Sequence, residues 1–503
     1  MAVNIASREA GSYTEAGTKD RLMMLYGNTV KWCSDSAKWF MYNKETTLWK
    51  EINKDKALKM VENLRKEIRG KIRELPAEAQ ANALKYVGDA DKSFQCNLSK
   101  LSNCKAALEF MKAEVSCSES DFDARQDLLG LPNGKVYDAL NGKVIDGDPK
   151  FLLTKQLMGT PRADFQISDR FKKYIEVFLP DEEVRSYLQK YLGSSFLGIE
   201  NRNPSDKRGV FIQNLGNTGK SMFLHALSEC MGEYYRTSVI GLLTEAIKDS
   251  NKPNALLGEL RGVRIAGISE VKADSVFATD NFKRVTGGDI LVGRSPYSKE
   301  PFYFRSEFRL LVMSNTLPRP DDGDDKAFRS RFRRINRDKA LSEIDESLEK
   351  VIRTQDFIDD FVTWLADGCR KYLQCGGKLD NYDGQNLQDS NLPADMKRAI
   401  AEYIGQNDEM LEFFGTYYTR ADSDSYEFLE SIYKNWLEYT NDKKTTFNMF
   451  CRTFRQLIQR LGLREGRVLT EEGKPRRLKC VYGVRQLVKA DIASKAGKIS
   501  LAD

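Results

Sequence analysis

The sequence predicts an α/β fold of several domains, with a central α/β unit between an α+β unit and a helix-rich basic unit. The chain has 503 residues, about three times the common length of one domain, so we expect two to four domains. Hydrophobic residues make up 41% of the chain and charged residues 30%, values that exclude collagenous and wholly disordered proteins. Between residues 209 and 335, short apolar strands alternate with helices, which is typical of an α/β unit.

The N-terminal part mixes helical and strand patterns and therefore predicts a small α+β unit. Residues 54–75 have a helical pattern, and an aromatic cluster surrounds a turn at Asn43 and Lys44. The aromatic residues are Trp32, Trp39, Phe40, Tyr42 and Trp49. Residues 128–144 contain two Asn-Gly pairs and predict a β-meander. Apolar helix faces follow between residues 165 and 197.

Helical patterns return at 342–374, and the composition of residues 380–392 predicts a polar linker. In the last unit, about 395–488, we expect helices and strands at 426–439, 446–461, 467–469 and 478–482. Helices followed by a basic two-stranded wing predict a winged-helix fold that contacts phosphates. The alternative is a charged helical cap without DNA contact.

Charge alone does not assign a partner, because 79 Lys and Arg against 73 Asp and Glu give a net charge of only +6. The distribution is more informative. Residues 452–479 contain nine basic residues and only three acidic ones, Glu465, Glu471 and Glu472, so this stretch also carries a net +6. The basic excess is therefore local to the C-terminal unit.

Cysteine and histidine usage narrows the chemistry. The nine cysteines are scattered, and the closest pair, Cys369 and Cys375, lacks CxxC spacing, which indicates a reducing compartment. His225 is the single histidine, which excludes zinc sites built on histidine, Ser-His-Asp triads and Cys-His pairs. The N-terminus lacks a signal pattern and no 18-residue apolar run occurs. We expect a soluble intracellular protein without a membrane partner, and host cytoplasm and nucleus are not distinguished.

Residues 209–231 contain a phosphate-binding pattern. A strand at 209–212 leads into Asn214-Leu-Gly-Asn-Thr-Gly-Lys-Ser221 and then an apolar helix. In this strand-loop-helix context, backbone N–H groups bind phosphate oxygens. The expected nucleotide contacts are Gly216, Asn217, Thr218, Gly219, Lys220, Ser221 and Phe223. Asn214 stands at the first glycine position of the motif, and asparagine tolerates the left-handed region well enough to leave the loop intact.

Further polar residues follow the later strands. Lys220 is expected to reach the β- and γ-phosphates and Ser221 to ligate Mg²⁺. Glu270 follows the strand 264–268, where a carboxylate can activate water beside Mg²⁺ and contribute to its site. Asn315 follows the strand 308–313 and is expected to orient the attacking water. A solvated surface carboxylate and an ordinary strand-ending amide are the alternatives.

A cluster of four arginines, Arg329, Arg331, Arg333 and Arg334, follows an acidic loop at 321–325. It predicts an arginine finger, a side chain that stabilises transferred phosphate, or alternatively a solvated charged face. Five motifs occur in one order between residues 214 and 331: the phosphate-binding loop, Ser269-Glu270, residues 282–289, Ser314-Asn315 with Leu317-Pro318, and residues 327–331.

This series resembles the superfamily 3 helicases of the poxvirus-type and phage or plasmid primase-helicase group, ring-forming members of the AAA+ class. Residues 122–144 resemble the N-terminal module that precedes the helicase in that group. The resemblance covers roughly residues 20–340 and implies an AAA+ P-loop ATPase core with an α+β N-terminal module and a helical, winged-helix C-terminal domain. The implied domains are the N-terminal module at 1–160, a helical collar at 161–200, the core at 201–340, a helical extension and linker at 341–394, a winged-helix-like domain at 395–490 and a tail at 491–503.

The resemblance also assigns roles to residues. Lys220, Glu270 and Asn315 become catalytic, with Glu270 as the Walker B carboxylate and Asn315 as the polar sensor. Arg331 matches the finger that the family inserts into the neighbouring subunit's ATP site, and Arg329 and Arg333 are rivals because this chain reads Arg-Ser-Arg where the family more often has an aromatic followed by Arg-Arg. Residues 286–304 resemble the pore hairpin. The expected DNA contacts are Lys283, Arg294 and Lys299 near the hairpin and Arg452, Arg455, Arg476 and Arg477 in the C-terminal unit.

The implied activity is that of an ATP-dependent DNA helicase, using ATP and Mg²⁺, in the replication of viral or mobile-element DNA. Single-stranded or forked DNA is the expected substrate, a homo-hexamer the expected assembly, and a primase or polymerase a further partner. One rival is an ATPase of the same fold that loads onto or remodels an origin without processive unwinding. A small-molecule P-loop kinase is a second rival, and a DNA-binding module without catalysis is a third.

Overall fold

The structure is a computed structural model that describes residues 3–88, 97–214, 219–238, 241–244, 255–269, 271, 275–293, 301–323, 325–337, 348–406, 409–441, 446–469 and 477–487. It is a mixed α/β protein, as the sequence predicts. No helix among these residues is both long and apolar enough to span a bilayer.

The N-terminal part is an α+β unit with its own hydrophobic core. Its elements are α1 (Glu15–Tyr26), β1 (Val30–Cys33), β2 (Lys38–Asn43), β3 (Leu48–Ile52), α2 (Lys54–Lys71), α3 (Ala77–Val87), α4 (Leu101–Glu114) and β4 (Ser116–Cys117). The strand order is β3-β2-β1-β4, and the aromatic residues of the cluster lie on or beside β1, β2 and β3. The predicted helix at 54–75 is confirmed as α2 and a following turn of 3₁₀ helix.

The predicted meander is confirmed as three antiparallel strands, β5 (Leu128–Gly130), β6 (Lys135–Asp138) and β7 (Lys143–Asp146). Asn133 and Gly134 both have positive φ, 59° and 72°, at the first turn, which explains the preference for Asn-Gly there. The two helices that follow are α5 (Asp169–Phe178) and α6 (Glu182–Gly193). Apolar side chains of β5, β6, α5 and α6 join the largest core cluster of the chain.

The central unit contains a five-stranded sheet in the order β16-β8-β14-β10-β9, and every pair in it is parallel. The elements from 209 to 337 are β8 (Gly209–Asn214), α7 (Lys220–Met231), β9 (Tyr235–Thr237), α8 (Gly241–Thr244), α9 (Ala255–Gly258), β10 (Ile265–Ile268), β11 (Val276–Phe277), α10 (Thr279–Gly287), β12 (Ile290–Gly293), β13 (Phe302–Arg305), β14 (Arg309–Ser314), β15 (Arg319–Pro320), α11 (Lys326–Arg331) and β16 (Phe332–Arg337).

The continuous apolar runs of these strands reflect burial on both faces of the sheet. In β8, Val210 and Ile212 join the core cluster that contains α7, whereas Phe211 points into the cluster that contains α10 and α11. This alternation follows from the two-residue period of a strand. The sheet is therefore covered by helices on both faces. The residues at the carboxyl ends and at the amino ends of its strands, called the carboxyl edge and the amino edge below, are the places where a ligand can reach it.

Helices α12 (Leu348–Val351) and α13 (Gln355–Gln374) follow the sheet, and α13 packs along α6. Residues 380–392, predicted as a polar linker, contain no helix or strand and connect α13 to α14. The segment is nevertheless packed against the chain: Asp380, Tyr382 and Leu392 are buried, and Tyr382 and Leu392 belong to the largest core cluster. Asp380 pairs with Arg333 of β16 and with Arg208, which directly precedes β8.

The C-terminal part has its own core. Its elements are α14 (Ala394–Gln406), α15 (Glu409–Tyr417), β17 (Tyr418–Arg420), β18 (Tyr426–Phe428), α16 (Leu429–Thr440), α17 (Phe447–Arg460), β19 (Arg464–Leu469), β20 (Arg477–Tyr482) and β21 (Val484–Gln486). The two wing strands are confirmed as β19 and β20. The helix predicted at 426–439 begins later, at Leu429, because residues 426–428 form β18 and pair with β20.

Candidate functional site

The carboxyl ends of the parallel strands meet at one edge of the central sheet. In register, Ile212 of β8 lies beside Met313 of β14, and Gln213 beside Ser314. The residues that follow these two strands are therefore neighbours, although they lie far apart in sequence. Ligands of open parallel sheets bind outside this edge.

Two of the predicted site residues meet there. Lys220, the first residue of α7, donates a hydrogen bond from Nζ to Oδ1 of Asn315, which follows β14. Gln213 donates from Nε2 to the backbone oxygen of Asn315 at 3.2 Å, a contact that the sequence did not indicate. Lys220 is half-buried, and this burial lowers its pKa below the ordinary lysine value. Asn315 is exposed, so the pair faces the solvent side of the edge.

The N-terminus of α7 is prepared for an anion. Gly219 precedes the helix with φ of 83°, a left-handed conformation that glycine adopts at low cost. The first helical hydrogen bond runs from Phe223 N to Gly219 O at 2.9 Å, so the preceding N–H groups lack acceptors within the helix. Among the described residues no side chain caps this end. A lysine at the first helical position also opposes the helix dipole. A bound phosphate would satisfy both features, so the residues present fit a nucleotide.

Ser221 lies next to Lys220 in the first turn of α7, and its side chain is exposed. Its hydroxyl makes no hydrogen bond within the described part of the chain, which fits a ligand of a nucleotide-bound Mg²⁺. The remaining predicted members, Gly216, Asn217, Thr218 and Glu270, lie outside the described residues.

The position of Phe223 contradicts the prediction that this residue contacts the nucleotide. Its side chain is fully buried and stacks on Phe178 with ring centroids 4.3 Å apart, and its backbone N–H is used by Gly219. Neither the side chain nor the backbone N–H of Phe223 can therefore contact a ligand. His225, in the next turn of α7, is partly exposed and lies 3.6 Å from Glu229 on the same helix.

The arginine cluster lies at the opposite, amino edge of the sheet, because Phe332 at the start of β16 pairs with Gly209 at the start of β8. The structure decides against one of the three finger candidates. Arg333 is fully buried and pairs with Asp380 at 2.6 Å. Arg329 is half-buried and donates from Nε to Gly323 O at 2.7 Å.

Arg331 ends α11 and donates from Nη1 to the backbone oxygen of Lys283. Burial lowers the pKa of its guanidinium, while Asp289 and Asp325 act in the opposite direction. Its edge lies about 16 Å from the carboxyl edge, since the six residues of β8 span five intervals of about 3.3 Å. Arg331 is thus remote from Lys220 of its own chain.

In the segment predicted as a pore hairpin, β12 and β13 pair antiparallel from Ile290 with Arg305 to Gly293 with Phe302, and a role in a pore stays a prediction. Lys283 is not part of it. This lysine lies in α10 and contacts Asp280 and Asp325, each at 2.6 Å. Burial acts to lower its pKa, but these two hydrogen bonds outweigh burial and raise it. Lys283 is therefore engaged within the chain and is a poor DNA contact. Arg294 and Lys299 lie outside the described residues.

Of the C-terminal arginines predicted to contact DNA, the structure describes the side chain of Arg455. Arg455 of α17 forms a two-bond ion pair with Glu465 of β19, Nε to Oε2 at 2.9 Å and Nη2 to Oε1 at 3.2 Å. Arg476 lies outside the described residues, as do the side chains of Arg452 and Arg477.

A buried charge network at the amino edge was missed by the sequence reasoning. Asp380 accepts hydrogen bonds from Arg208 Nε at 2.8 Å, Arg333 Nη2 at 2.6 Å and the Tyr187 hydroxyl at 2.7 Å. Asp206 accepts from Arg208 Nη1 at 2.6 Å, among others. The carboxylate of Asp380 thus links β16, the residue before β8 and helix α6.

Comparison with known proteins gives partial matches. A family model described as D5 N terminal like matches residues 19–180. The chain is 28% identical over 212 residues to "Putative helicase L207/L206" of Acanthamoeba polyphaga mimivirus, covering 42% of this chain and 22% of that protein. It is 25% identical over 280 residues to "Putative helicase V13" of Sputnik virophage, covering 52% of this chain and 34% of that protein. The chain thus matches about a third or less of the length of these relatives.

Among solved structures, the apo structures of the NrS-1 C terminal region have TM-scores of 0.46 and 0.44. The first is 11% identical and covers 93% of this chain and 99% of that one. The predicted resemblance of the N-terminal module is confirmed as a D5 N-terminal-like match. The similarity to viral proteins named helicases supports the prediction of a helicase-like function in replication. The assignment to superfamily 3 stays a prediction.

Proposed function

We propose that the protein is an ATP-dependent DNA helicase with an AAA+ core of the superfamily 3 type, which acts as a ring in the replication of viral or mobile-element DNA. The observation that carries this proposal is the hydrogen bond from Lys220 to Asn315 at the carboxyl edge, beside the end of α7 that no described side chain caps. A cation, a polar amide and free backbone N–H groups converge where a parallel sheet binds its ligand.

The residues divide the work of nucleotide hydrolysis. Lys220 and the N–H groups of the first turn of α7 would bind the β- and γ-phosphates. Ser221 and Glu270 would hold Mg²⁺, which supplies charge neutralisation between the phosphates when bound. Asn315 would release Lys220 to the nucleotide and orient the attacking water. Glu270 would accept the proton of that water.

The position of Arg331 supports a ring. Since it lies at the amino edge, it can act on ATP only where another subunit presents a carboxyl edge to it. Arg331 borders an open cavity of about 290 Å³ that Lys207 and Lys378 also line, and a cationic cavity suits the phosphates of a neighbouring site. The homo-hexamer is proposed on this ground together with the resemblance described above.

DNA is proposed as the substrate for two reasons. Two viral relatives are named as putative helicases, and the described β12–β13 hairpin with the basic β19–β20 wing provides two surfaces for phosphate contact. Arg294 and Lys299 belong to the hairpin region, and Arg452, Arg476 and Arg477 to the wing region.

Strand displacement on forked DNA, measured with ATP hydrolysis on the same samples, tests the proposal. The natural chain should unwind DNA and hydrolyse ATP faster when single-stranded DNA is present. Lys220→Ala should abolish both activities, and Glu270→Gln should abolish turnover while nucleotide binding persists. Lys173→Ala, an exposed lysine on α5, is the matched control and should leave both unchanged.

Three results would contradict parts of the proposal. DNA-stimulated hydrolysis without strand displacement would indicate a remodelling or loading ATPase of the same fold. Hydrolysis that DNA does not stimulate would favour a small-molecule kinase. Near-normal turnover of Glu270→Gln would overturn the assignment of the base, and Glu259 and Asp274 would be tested next.

A further inference from the structure

A row of two aromatic side chains and one basic side chain crosses the three-stranded sheet of the C-terminal part. In register, Tyr426 of β18 lies beside Tyr482 of β20, and Tyr482 lies beside Arg464 of β19. Residues that face each other in adjacent antiparallel strands point to the same side of a sheet. The three side chains therefore share one face.

The side chains of the row contact one another. The Arg464 guanidinium carbon lies 4.6 Å from the centre of the Tyr482 ring, a cation–π contact. The ring centroids of Tyr426 and Tyr482 are 5.7 Å apart, and the two rings are tilted by 59°. Gly466 makes room for this arrangement, because a Cβ atom there would lie 2.4 Å from the Tyr482 ring. The Tyr482 ring thus supports the Arg464 guanidinium from one side.

The row is open on its outer side. Tyr426 is 39% exposed and Arg464 is also exposed, and within the described residues Arg464 pairs with no carboxylate. The next residue of β20, Val481, points to the opposite face of the sheet and is fully buried in the C-terminal core. An aromatic and a planar cation placed on the solvent face contribute little to that core.

A cleft of about 430 Å³ begins at the end of this row. Arg464 and Tyr482 line it together with Arg420 and Asp424. Arg420 is fixed by a hydrogen bond from Nη2 to Leu461 O at 2.6 Å. The cleft therefore offers donors and a carboxylate acceptor side by side, which suits the edge of a nucleobase better than a bare phosphate.

We propose that Tyr426, Tyr482 and Arg464 form a stacking platform for an unpaired nucleobase of single-stranded nucleic acid, with the adjoining cleft receiving the base edge. The platform would make the C-terminal part specific for single-stranded nucleic acid. Its biological role rests on the proposed function. Aromatic rings and guanidinium planes bind bases that are splayed out of a helix. In a duplex the base faces are already stacked, so the platform selects single strands.

Binding of the full chain to a labelled 20-nucleotide single strand and to a duplex of equal length, by fluorescence anisotropy without nucleotide, tests the inference. Tyr426→Ala and Arg464→Ala should each weaken single-strand binding by about fivefold to a hundredfold and change duplex binding much less. Tyr426→Phe keeps the ring and should bind normally. Arg464→Lys keeps the charge but loses the plane, so it should behave as Arg464→Ala.

Arg485→Ala removes an exposed arginine of β21 outside the row and is the matched control, expected to affect both DNA forms equally. Photo-crosslinking of a strand containing 5-iodouracil should label peptides with Tyr426 or Tyr482. Unchanged single-strand affinity in Arg464→Ala together with crosslinks elsewhere would overturn the inference, and full rescue by Arg464→Lys would reduce the site to a charge contact. ATP hydrolysis is measured separately, so loss of the platform and failure of the helicase proposal are distinguishable.

Discussion

The two edges of the central sheet treat their charged side chains in opposite ways. At the carboxyl edge, Lys220 makes one hydrogen bond within the described residues, to the exposed Asn315, and begins a helix that no described side chain caps. At the amino edge, Arg208 and Arg333 are buried and share the carboxylate of Asp380. One edge leaves hydrogen-bonding capacity open, and the other satisfies it within the chain.

This difference indicates that the charged side chains of the carboxyl edge bind a ligand, whereas those of the amino edge hold the fold together. A cation at a helix N-terminus is unfavourable unless an anion joins it, so the carboxyl edge is complete only with a ligand. A buried carboxylate between two guanidinium groups needs no ligand, and removal of one member leaves the other charges buried without compensation. Arg331, also at the amino edge, is half-buried and donates to the backbone oxygen of Lys283, and Asp289 and Asp325 act on its charge.

The largest expected effect concerns Arg331. Arg331→Ala should lower ATP turnover by about 10³ to 10⁵, the range found for fingers supplied by another subunit, without preventing nucleotide binding. Lys220→Ala subunits have a defective site and an intact Arg331. A mixture of the two inactive variants should regain activity, because some interfaces then join an intact site to an intact arginine. Turnover is measured against protein concentration and should rise as rings form.

Arg329→Ala serves as the control for this experiment, since its guanidinium contacts Gly323 O in the loop before α11. A mixture that stays inactive although mixed rings form would show that Arg331 acts within its own subunit or is not the finger. Arg329 would then be the next candidate, while burial of Arg333 against Asp380 removes it from consideration.

The next effect is on stability. Asp380→Ala should lower the free energy of unfolding by about 3–5 kcal/mol, because Arg208, Arg333 and Tyr187 lose a buried partner. Asp383→Ala is the matched control three residues away. Its carboxylate is 57% exposed and lies 3.3 Å from Lys326, so about 1 kcal/mol or less is expected. Urea denaturation measures both, and equal effects would contradict the distinction between the two edges.

The sequence predicted those parts of the fold that local patterns encode. Strands β8, β10 and β14 were predictable because strands buried on both faces are continuous apolar runs, and Lys220 was predictable from the loop that precedes it. The burial of Asp380 was not predictable, since its partner Arg208 lies 172 residues away. The polar composition of residues 380–392 therefore predicted a linker, although the polar side chain of Asp380 is satisfied by that distant partner.

The candidate site shows the same limit. Asn315 was named from its place after a strand, yet its contact with Gln213 depends on β14 lying beside β8, which no local pattern encodes. Phe223 was predicted as a nucleotide contact from its position after the loop, whereas helical periodicity turns it into the core. The start of α16 was misplaced because β18 pairs with the distant strand β20.

Acid should weaken the amino edge more than the rest of the chain. Burial alone would raise the pKa of Asp380, but Arg333 and Arg208 outweigh it and hold the pKa below its ordinary value. Because the unfolded-state pKa is near 3.9, the ion pairs contribute fully above about pH 4 and are lost as the pH falls further. The loss should be on the order of 2 kcal/mol, and urea midpoints of the natural chain should fall more steeply below pH 4 than those of Asp380→Asn. Parallel curves would contradict this assignment.

The smallest expected effect extends the comparison to the C-terminal arginines. Arg455 already pairs with Glu465, so a DNA phosphate must displace a carboxylate to reach it. Arg467, on the same strand as Glu465, is exposed and pairs with no carboxylate among the described residues. Each phosphate contact contributes about 0.9 to the slope of log affinity against log salt concentration on duplex DNA. Arg467→Ala should therefore lower that slope by up to about one, whereas Arg455→Ala should leave it nearly unchanged. Titration of duplex binding at several salt concentrations compares the two variants, which remove the same charge from helix α17 and from the neighbouring strand β19. A larger slope change for Arg455 than for Arg467 would show that a satisfied ion pair does not mark a structural arginine in this protein.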